Sequence, residues 1–204
     1  MFRIPRRSLI LAAPALLPGL ACAQPLARST PAQMEGPFYP SAIPEDADAD
    51  LRRVAGAALQ AAGRPLLLTG VVRTPDGAAL PGARVEIWQA DEAGIYLHPR
   101  DGRVAQRDSF FQGFGRATAD AGGRYAFRTI RPGRYPGRTP HIHLRAHAPR
   151  GAAPLTTQVY FPDEPLNDRD GLLRRVPAAQ RALLLARLTP TDEGQHAEFD
   201  IILA

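Results

Sequence analysis

Lysine is absent from this 204-residue chain: all 25 basic residues are Arg, against 20 Asp and Glu. The formal charge of +5 therefore reflects a compositional habit more than a basic patch. Without residues 1–23 it falls to +2, because Arg3, Arg6 and Arg7 leave with no acid. No Arg run is interleaved with aromatics as a nucleic-acid groove requires, so nucleic-acid binding is disfavoured. Cysteine is nearly absent too, with Cys22 standing alone near the amino terminus. A mature chain beginning after Ala23 would have no thiol, which excludes disulfides and thiolate metal sites. Any metal must then be held by His, Tyr, Asp or Glu. No apolar run reaches the length of a stable membrane span.

The amino terminus reads as a signal peptide over residues 1–23. Arg3, Arg6 and Arg7 form a positive region, residues 8–20 a short apolar stretch, and Ala21-Cys22-Ala23 a small-x-small cleavage site. Arg6-Arg7 followed by Ser8-Leu9-Ile10 resembles a twin-arginine signal, a route that carries folded proteins. An ordinary secretory signal is the alternative. Lipidation of Cys22 fits less well, because Gly19 stands where a large aliphatic residue is expected. The expectation is an exported protein, periplasmic or secreted, whose residues 24–204 form one domain.

Twenty-one Pro and eighteen Gly favour a loop-rich β protein over a helical bundle. Residues 24–50 read as an extended lead-in. An Ala-rich stretch at 51–62, with Asp50 as N-cap, predicts a helical N-terminal segment, and residues 178–188 predict another short helix. Between and after them lie short β-like runs at 66–73, 83–88, 114–118, 124–130, 141–146, 155–161 and 198–203. In 83–88, Ala83, Val85 and Ile87 alternate with Arg84, Glu86 and Trp88, the period of a half-buried strand. The fold class expected is mainly β, an antiparallel β-sandwich with one or two short helices.

His141-Ile142-His143 carries the first chemical signal. On a strand, residues i and i+2 face one side, so both imidazoles can converge on one ion. The competing reading is a pair of surface or hydrogen-bonded histidines. Of the five tyrosines, Tyr39, Tyr96, Tyr125, Tyr135 and Tyr160, each taken alone is more simply a packing residue. A phenol ionises at neutral pH only beside a strong positive charge, which a hard trivalent metal supplies.

The chain resembles the intradiol ring-cleavage dioxygenase family, and within it the iron-binding subunits of the protocatechuate-cleaving enzymes. The segments that carry the resemblance are Val85-Glu86-Ile87-Trp88-Gln89-Ala90-Asp91, Gly94-Ile95-Tyr96-Leu97-His98, Gly113-Phe114-Gly115-Arg116, the run from Gly123 through Tyr135 to Arg138, Pro140-His141-Ile142-His143 and Thr157-Gln158-Val159-Tyr160-Phe161. Their order and spacing cover residues 36–161. The resemblance implies an iron(III) cofactor held by Tyr96, Tyr135, His141 and His143. It makes Arg138 and Gln158 catalytic residues beside the substrate, and Tyr96 a base as well as a ligand. Trp88 would pack near the iron. The substrates implied are a small aromatic diol and O2, both oxygen atoms entering a catechol-type ring to give a muconate-type diacid. One departure concerns the pocket: the interval from Tyr135 to His141 is short, and Gly137 stands where a Trp is usual, so a more open substrate pocket is expected.

Two other readings stay open at this level. One is a non-catalytic transthyretin-like β-sandwich binding module, suggested by the run from Thr69 through Asp76-Gly77 to Val85. The other is a divalent-metal hydrolase using only the two histidines. A homo-oligomer and a companion subunit are equally compatible with the sequence.

Overall fold

The computed structural model describes residues 28–151 and 153–204. The signal-like segment 1–23 lies outside the described residues. Among the described residues nine strands form two sheets: β1 (Pro65–Arg73), β2 (Arg84–Trp88), β3 (Phe114–Thr118), β4 (Arg124–Ile130), β5 (His141–His147), β6 (Leu155–Tyr160), β7 (Arg187–Thr191), β8 (Gly194–Glu198) and β9 (Ile201–Ile202). One sheet runs β4-β1-β8-β7, with β9 also paired to β1; the other runs β3-β2-β5-β6.

The period-2 pattern decides what each sheet buries. Leu66, Leu68 and Val72 of β1 and Tyr125 and Phe127 of β4 enter the core shared with Val85 and Ile87 of β2, Ile142, Leu144 and Ala146 of β5, and Val159 of β6. The alternate residues of the second sheet therefore point away from that core, and they form a register row. Trp88 pairs with Phe114 on one side and His143 on the other, and His143 pairs with Gln158. His141 and Tyr160 flank that row on one side, and Arg116, Glu86, Arg145 and Thr156 on the other. This outer face is itself buried at Trp88, His141, His143, Gln158 and Tyr160.

Three sequence expectations change. The sheet pairing is not wholly antiparallel, since β1 pairs parallel with both β8 and β9. The chain leaves the first sheet at β4 and returns only after β5, β6 and a long connection, which is the length a parallel pairing needs. Residues 51–62 form turns and coil in place of the predicted helix. Only Leu51 of this stretch is buried, so no apolar stripe exists to stabilise a helix. Its backbone bonds go elsewhere: Leu51 N donates to Arg128 O, and Ala61 N to Arg52 O. Asp50, the expected cap, accepts from Arg52 N and Nε instead. The second predicted helix is shorter than expected, with α1 (Ala178–Arg181) passing into a 3₁₀ turn at Ala182–Leu184 and then into β7. Among the described residues, no helix is long and apolar enough to cross a membrane.

Leu144 is wholly buried between the sheets on the strand that carries both histidines. Leu144→Ala is expected to cost about 2–5 kcal/mol, measured by denaturant unfolding. A loss below about 1 kcal/mol would mean the sheets do not close tightly over β5.

Candidate metal and substrate site

Strand β5 presents His141 and His143 side by side on the outer face, and their Nε2 atoms lie 3.1 Å apart. His141 Nδ1–H donates to Thr139 O at 2.7 Å, which leaves Nε2 as the bare lone pair. Burial is the main cause holding both imidazoles neutral, pushing His141 down to about 4 and His143 well below its ordinary value. Two neutral imidazoles aimed at each other across 3.1 Å match the spacing of donors sharing one ion, each about 2.0–2.1 Å from it.

Two loops bring the tyrosines. Tyr96 sits on the connection between β2 and β3, its backbone N bonded to Asp101 Oδ2 at 2.9 Å. Its hydroxyl lies 3.4 Å from His141 Nε2. Tyr135 comes from the connection between β4 and β5, and its ring meets Tyr96 edge to face at 5.8 Å. The two loops touch through backbone. Gly133 N donates to Asp91 O, and a Cβ on Gly94 would lie 2.0 Å from Arg134 O at a φ of +73°. Only glycine fits Gly94 on both counts.

Tyr96, Tyr135, Arg138, His141 and His143 line one largely apolar cavity of about 190 Å³, together with Met34, Gly36, Pro37, Phe38 and Leu172. Burial raises the Tyr96 phenol well above its ordinary value, and the Arg138 charge opposes that only in part. The protein by itself thus holds Tyr96 and the two imidazoles neutral; a strongly positive ion at this point would reverse the balance. Among the described residues no three His, Cys, Asp or Glu cluster as a metal site. The donors that converge here are two imidazoles and two phenols, a set suited to a hard trivalent metal.

The remaining predicted residues lie behind this wall or outside it. Gln158 is buried behind Arg138, its Oε1 accepting from Arg138 Nη2 at 2.7 Å. Trp88 stacks on the far side of His143 with ring centroids 4.9 Å apart and planes 9° apart. Gly137 is exposed at a turn with φ of +78° and does not line the cavity; a Cβ there would meet nothing within 4 Å.

Sequence reading missed Asp170 and Phe38. Asp170 Oδ2 accepts from Arg138 Nε at 2.7 Å and from Thr139 N at 3.0 Å. It thereby fixes both the guanidinium and the backbone that orients His141. Phe38 stacks on Tyr96 at 4.4 Å and meets Tyr135 edge-on at 5.3 Å. The contacts that place both residues at the site span more than thirty residues of sequence.

A family model described as "Dioxygenase" matches residues 34–204. The chain belongs to the intradiol ring-cleavage dioxygenase family. It is related to the subunits of protocatechuate 3,4-dioxygenase. The beta chain of that enzyme from Burkholderia cepacia is 41% identical over 153 residues, covering 69% of this chain and 65% of that one. The alpha chain from the same organism is 35% identical over 168 residues, covering 78% and 84%. Among solved structures, the dioxygenase domain of a dioxygenase carbohydrate-binding protein fusion from Streptomyces sp. SirexAA-E aligns with a TM-score of 0.69 at 35% identity, over 86% of this chain and 98% of that one. The match thus spans just under two thirds of the length of the beta chain. Membership implies a non-haem iron(III) cofactor.

Desolvation pushes the Asp170 carboxyl up, but the Arg138 hydrogen bond and the backbone N–H groups of Leu173 and Thr139 outweigh it and hold the group below the usual carboxylate range. A carboxyl depressed on folding contributes stability that is present above its unfolded pKa of about 3.9 and fades as pH falls through the folded value. Asp170→Asn should cost on the order of 3 kcal/mol at neutral pH by leaving Arg138 unpaired. The gap to wild type should hold down to about pH 5 and shrink below about pH 4. Denaturation midpoints across that range check it; a gap that widens with acid would contradict it.

Proposed function

We propose that this chain is an iron(III)-dependent intradiol dioxygenase that opens a catechol-type ring between its two hydroxyl-bearing carbons and inserts both atoms of O2 to give a muconate-type diacid. One observation carries the reading: Tyr96 Oη lies 3.4 Å from His141 Nε2, which lies 3.1 Å from His143 Nε2, on the wall of a cavity that Tyr135 and Arg138 also line. In this reading Tyr96, Tyr135, His141 and His143 hold the ion. When bound, iron(III) supplies Lewis acidity and a means of bringing the electron-rich ring and O2 to reaction.

The chain's own residues account for binding, orientation and charge. The cavity, about 190 Å³, is large enough for one aromatic ring and is walled by Phe38, Pro37, Met34 and Leu172, an apolar lining suited to a ring. Tyr96 Oη is the base that accepts a substrate hydroxyl proton. Its burial raises its affinity for a proton. Arg138 presents fixed positive charge to the anionic ring. Asp170, Gln158 Oε1 and Tyr160 Oη, the last 3.1 Å from Nη2, hold it in place, so little reorganisation is needed as charge develops. Gln158 acts through Arg138, since its Nε2 is tied to Met34 O.

Export fits the same reading: a signal over residues 1–23 of the twin-arginine kind would pass a folded, metal-loaded protein to the periplasm or beyond. The non-catalytic module has no reason to gather this donor set at a cavity, and a divalent-metal hydrolase leaves the two phenols without a role.

Purified, iron-loaded protein should be reddish from tyrosinate-to-iron(III) charge transfer, and the band should shift on adding catechol before O2 is consumed. Tyr135→Phe should lose most of the colour and at least about 10²-fold in kcat, and Arg138→Leu about 10²–10³-fold in kcat with the colour kept. Colourless protein with stoichiometric zinc would overturn the reading in favour of hydrolysis. A panel of catechol, protocatechuate, hydroxyquinol and larger catechols then ranks the substrates by kcat/KM.

A further inference from the structure

A ligating imidazole is usually oriented by a hydrogen bond on its second nitrogen. His141 has one, but among the described residues His143 Nδ1 is buried with no partner, and so is the Nε1 of Trp88 stacked upon it. What orients the His143 ring must therefore be packing, and the packing leads to a polar anchor on the same sheet face. Tyr39 meets Trp88 edge-on at 4.9 Å and donates its hydroxyl to Glu86 Oε2 at 2.9 Å. Glu86 is buried two residues from Trp88 on β2, and its Oε1 lies 3.2 Å from Arg84 Nε and 3.3 Å from Arg116 Nε. Burial first, then the Glu86 hydrogen bond and charge, push the Tyr39 phenol up to about 12, so it stays a donor.

The same anchor ties down the whole of residues 35–39. Arg145, beside Glu86 in the register, lies over the Tyr39 ring at 4.2 Å and pairs with Glu35. Between those two ties, Gly36 adopts φ of +75° so closely against His143 that a Cβ would lie 3.2 Å from its Cε1. Next to it, Phe38 stacks on Tyr96 and abuts Tyr135. One strap thus touches the rings of His143, Tyr96 and Tyr135.

We propose that Glu86 and Tyr39 are positioning residues for the metal donors: their hydrogen bond buttresses Trp88 against His143 and clamps the strap that holds the Tyr96 and Tyr135 rings. The assignment of donors rests on the function proposed above; the buttress itself does not.

Trp88 is the only tryptophan in the chain, so its emission reports on this contact without metal or substrate. In metal-free Tyr39→Phe, which keeps the ring and loses the hydroxyl, Trp88 emission should move to longer wavelength and acrylamide quenching should rise at least twofold. The iron-loaded variant should lose iron to a competing chelator about tenfold more readily, with a shifted charge-transfer band and a fall in kcat larger than any change in KM. Glu86→Gln, which keeps an acceptor for Tyr39 Oη, should restore most of the emission and iron retention relative to Glu86→Leu. If Tyr39→Phe lowers only the denaturation midpoint, with emission, band and iron retention as in wild type, the positioning role is wrong. Should Tyr39→Phe not fold, equal effects of Glu86→Gln and Glu86→Leu on emission and iron retention would overturn it. A wild type that takes up no iron would sink the iron reading alone, because emission of the metal-free protein still decides the buttress.

Discussion

The alternation of β5 governs the rest of the molecule. Its seven residues send Ile142, Leu144 and Ala146 into the core between the sheets and His141 and His143 to the opposite face. Both faces end up buried, yet by different means. The first is closed by another sheet, while the second, which carries polar donors, is closed by irregular chain from the lead-in and from the two tyrosine loops. A buried polar face is stable only if its polar atoms find partners. Thr139 O supplies one for His141. The facing Nε2 atoms of His141 and His143 lie 3.1 Å apart, and a shared cation between them belongs to the function proposed above.

That irregular cover is held by a few specific contacts and not by regular structure. The backbone approach of Gly94 to Arg134 brings the Tyr96 and Tyr135 loops together, and the Asp170 carboxylate ties the 167–173 turn to Arg138 and Thr139. The Glu35 to Tyr39 strap is held to the sheet by Arg145 and Glu86. Buried carboxylates thus recur at the points where loops meet the sheet. Arg is their usual counter-charge, and its planar donor fork serves two or three acceptors at once, as Arg138 does.

Strands were legible in sequence where a side chain's own environment sets the pattern. Val85 and Ile87 alternate with Glu86 and Trp88, and Tyr125 and Phe127 with Arg124, Ala126 and Arg128, so β2 and β4 could be placed from the residues alone. The 51–62 stretch misled for the converse reason. Its alanines have high helix propensity, but almost none of it is buried, and the neighbouring strand β4 claims the Leu51 amide. Strand β7 escaped notice because it is largely exposed and contains Pro190, a combination that local pattern reads as loop. At the site, Tyr96, Tyr135, Arg138 and the two histidines are legible through the resemblance to the family, and the structure brings all five to one cavity. Tyr39, Glu86 and Asp170 take their place at the site from distant partners, with Tyr39 47 residues from Glu86 and Asp170 32 from Arg138.

By itself the sequence determined the chemistry available: with no thiol outside residue 22, a metal had to be held by oxygen and nitrogen donors, and a two-residue repeat on one strand put two imidazoles on one face. It also determined family membership, because that resides in the order of motifs along the chain. Only the tertiary structure decided what each tyrosine hydroxyl meets. Tyr125 is spent on Phe199 O, Tyr160 on the Arg138 network and Tyr39 on Glu86, leaving Tyr96 and Tyr135 facing the cavity. The physical reason is that a phenol's role depends on what its hydroxyl meets, and for Tyr39, Tyr125 and Tyr160 that includes a partner on another strand or loop.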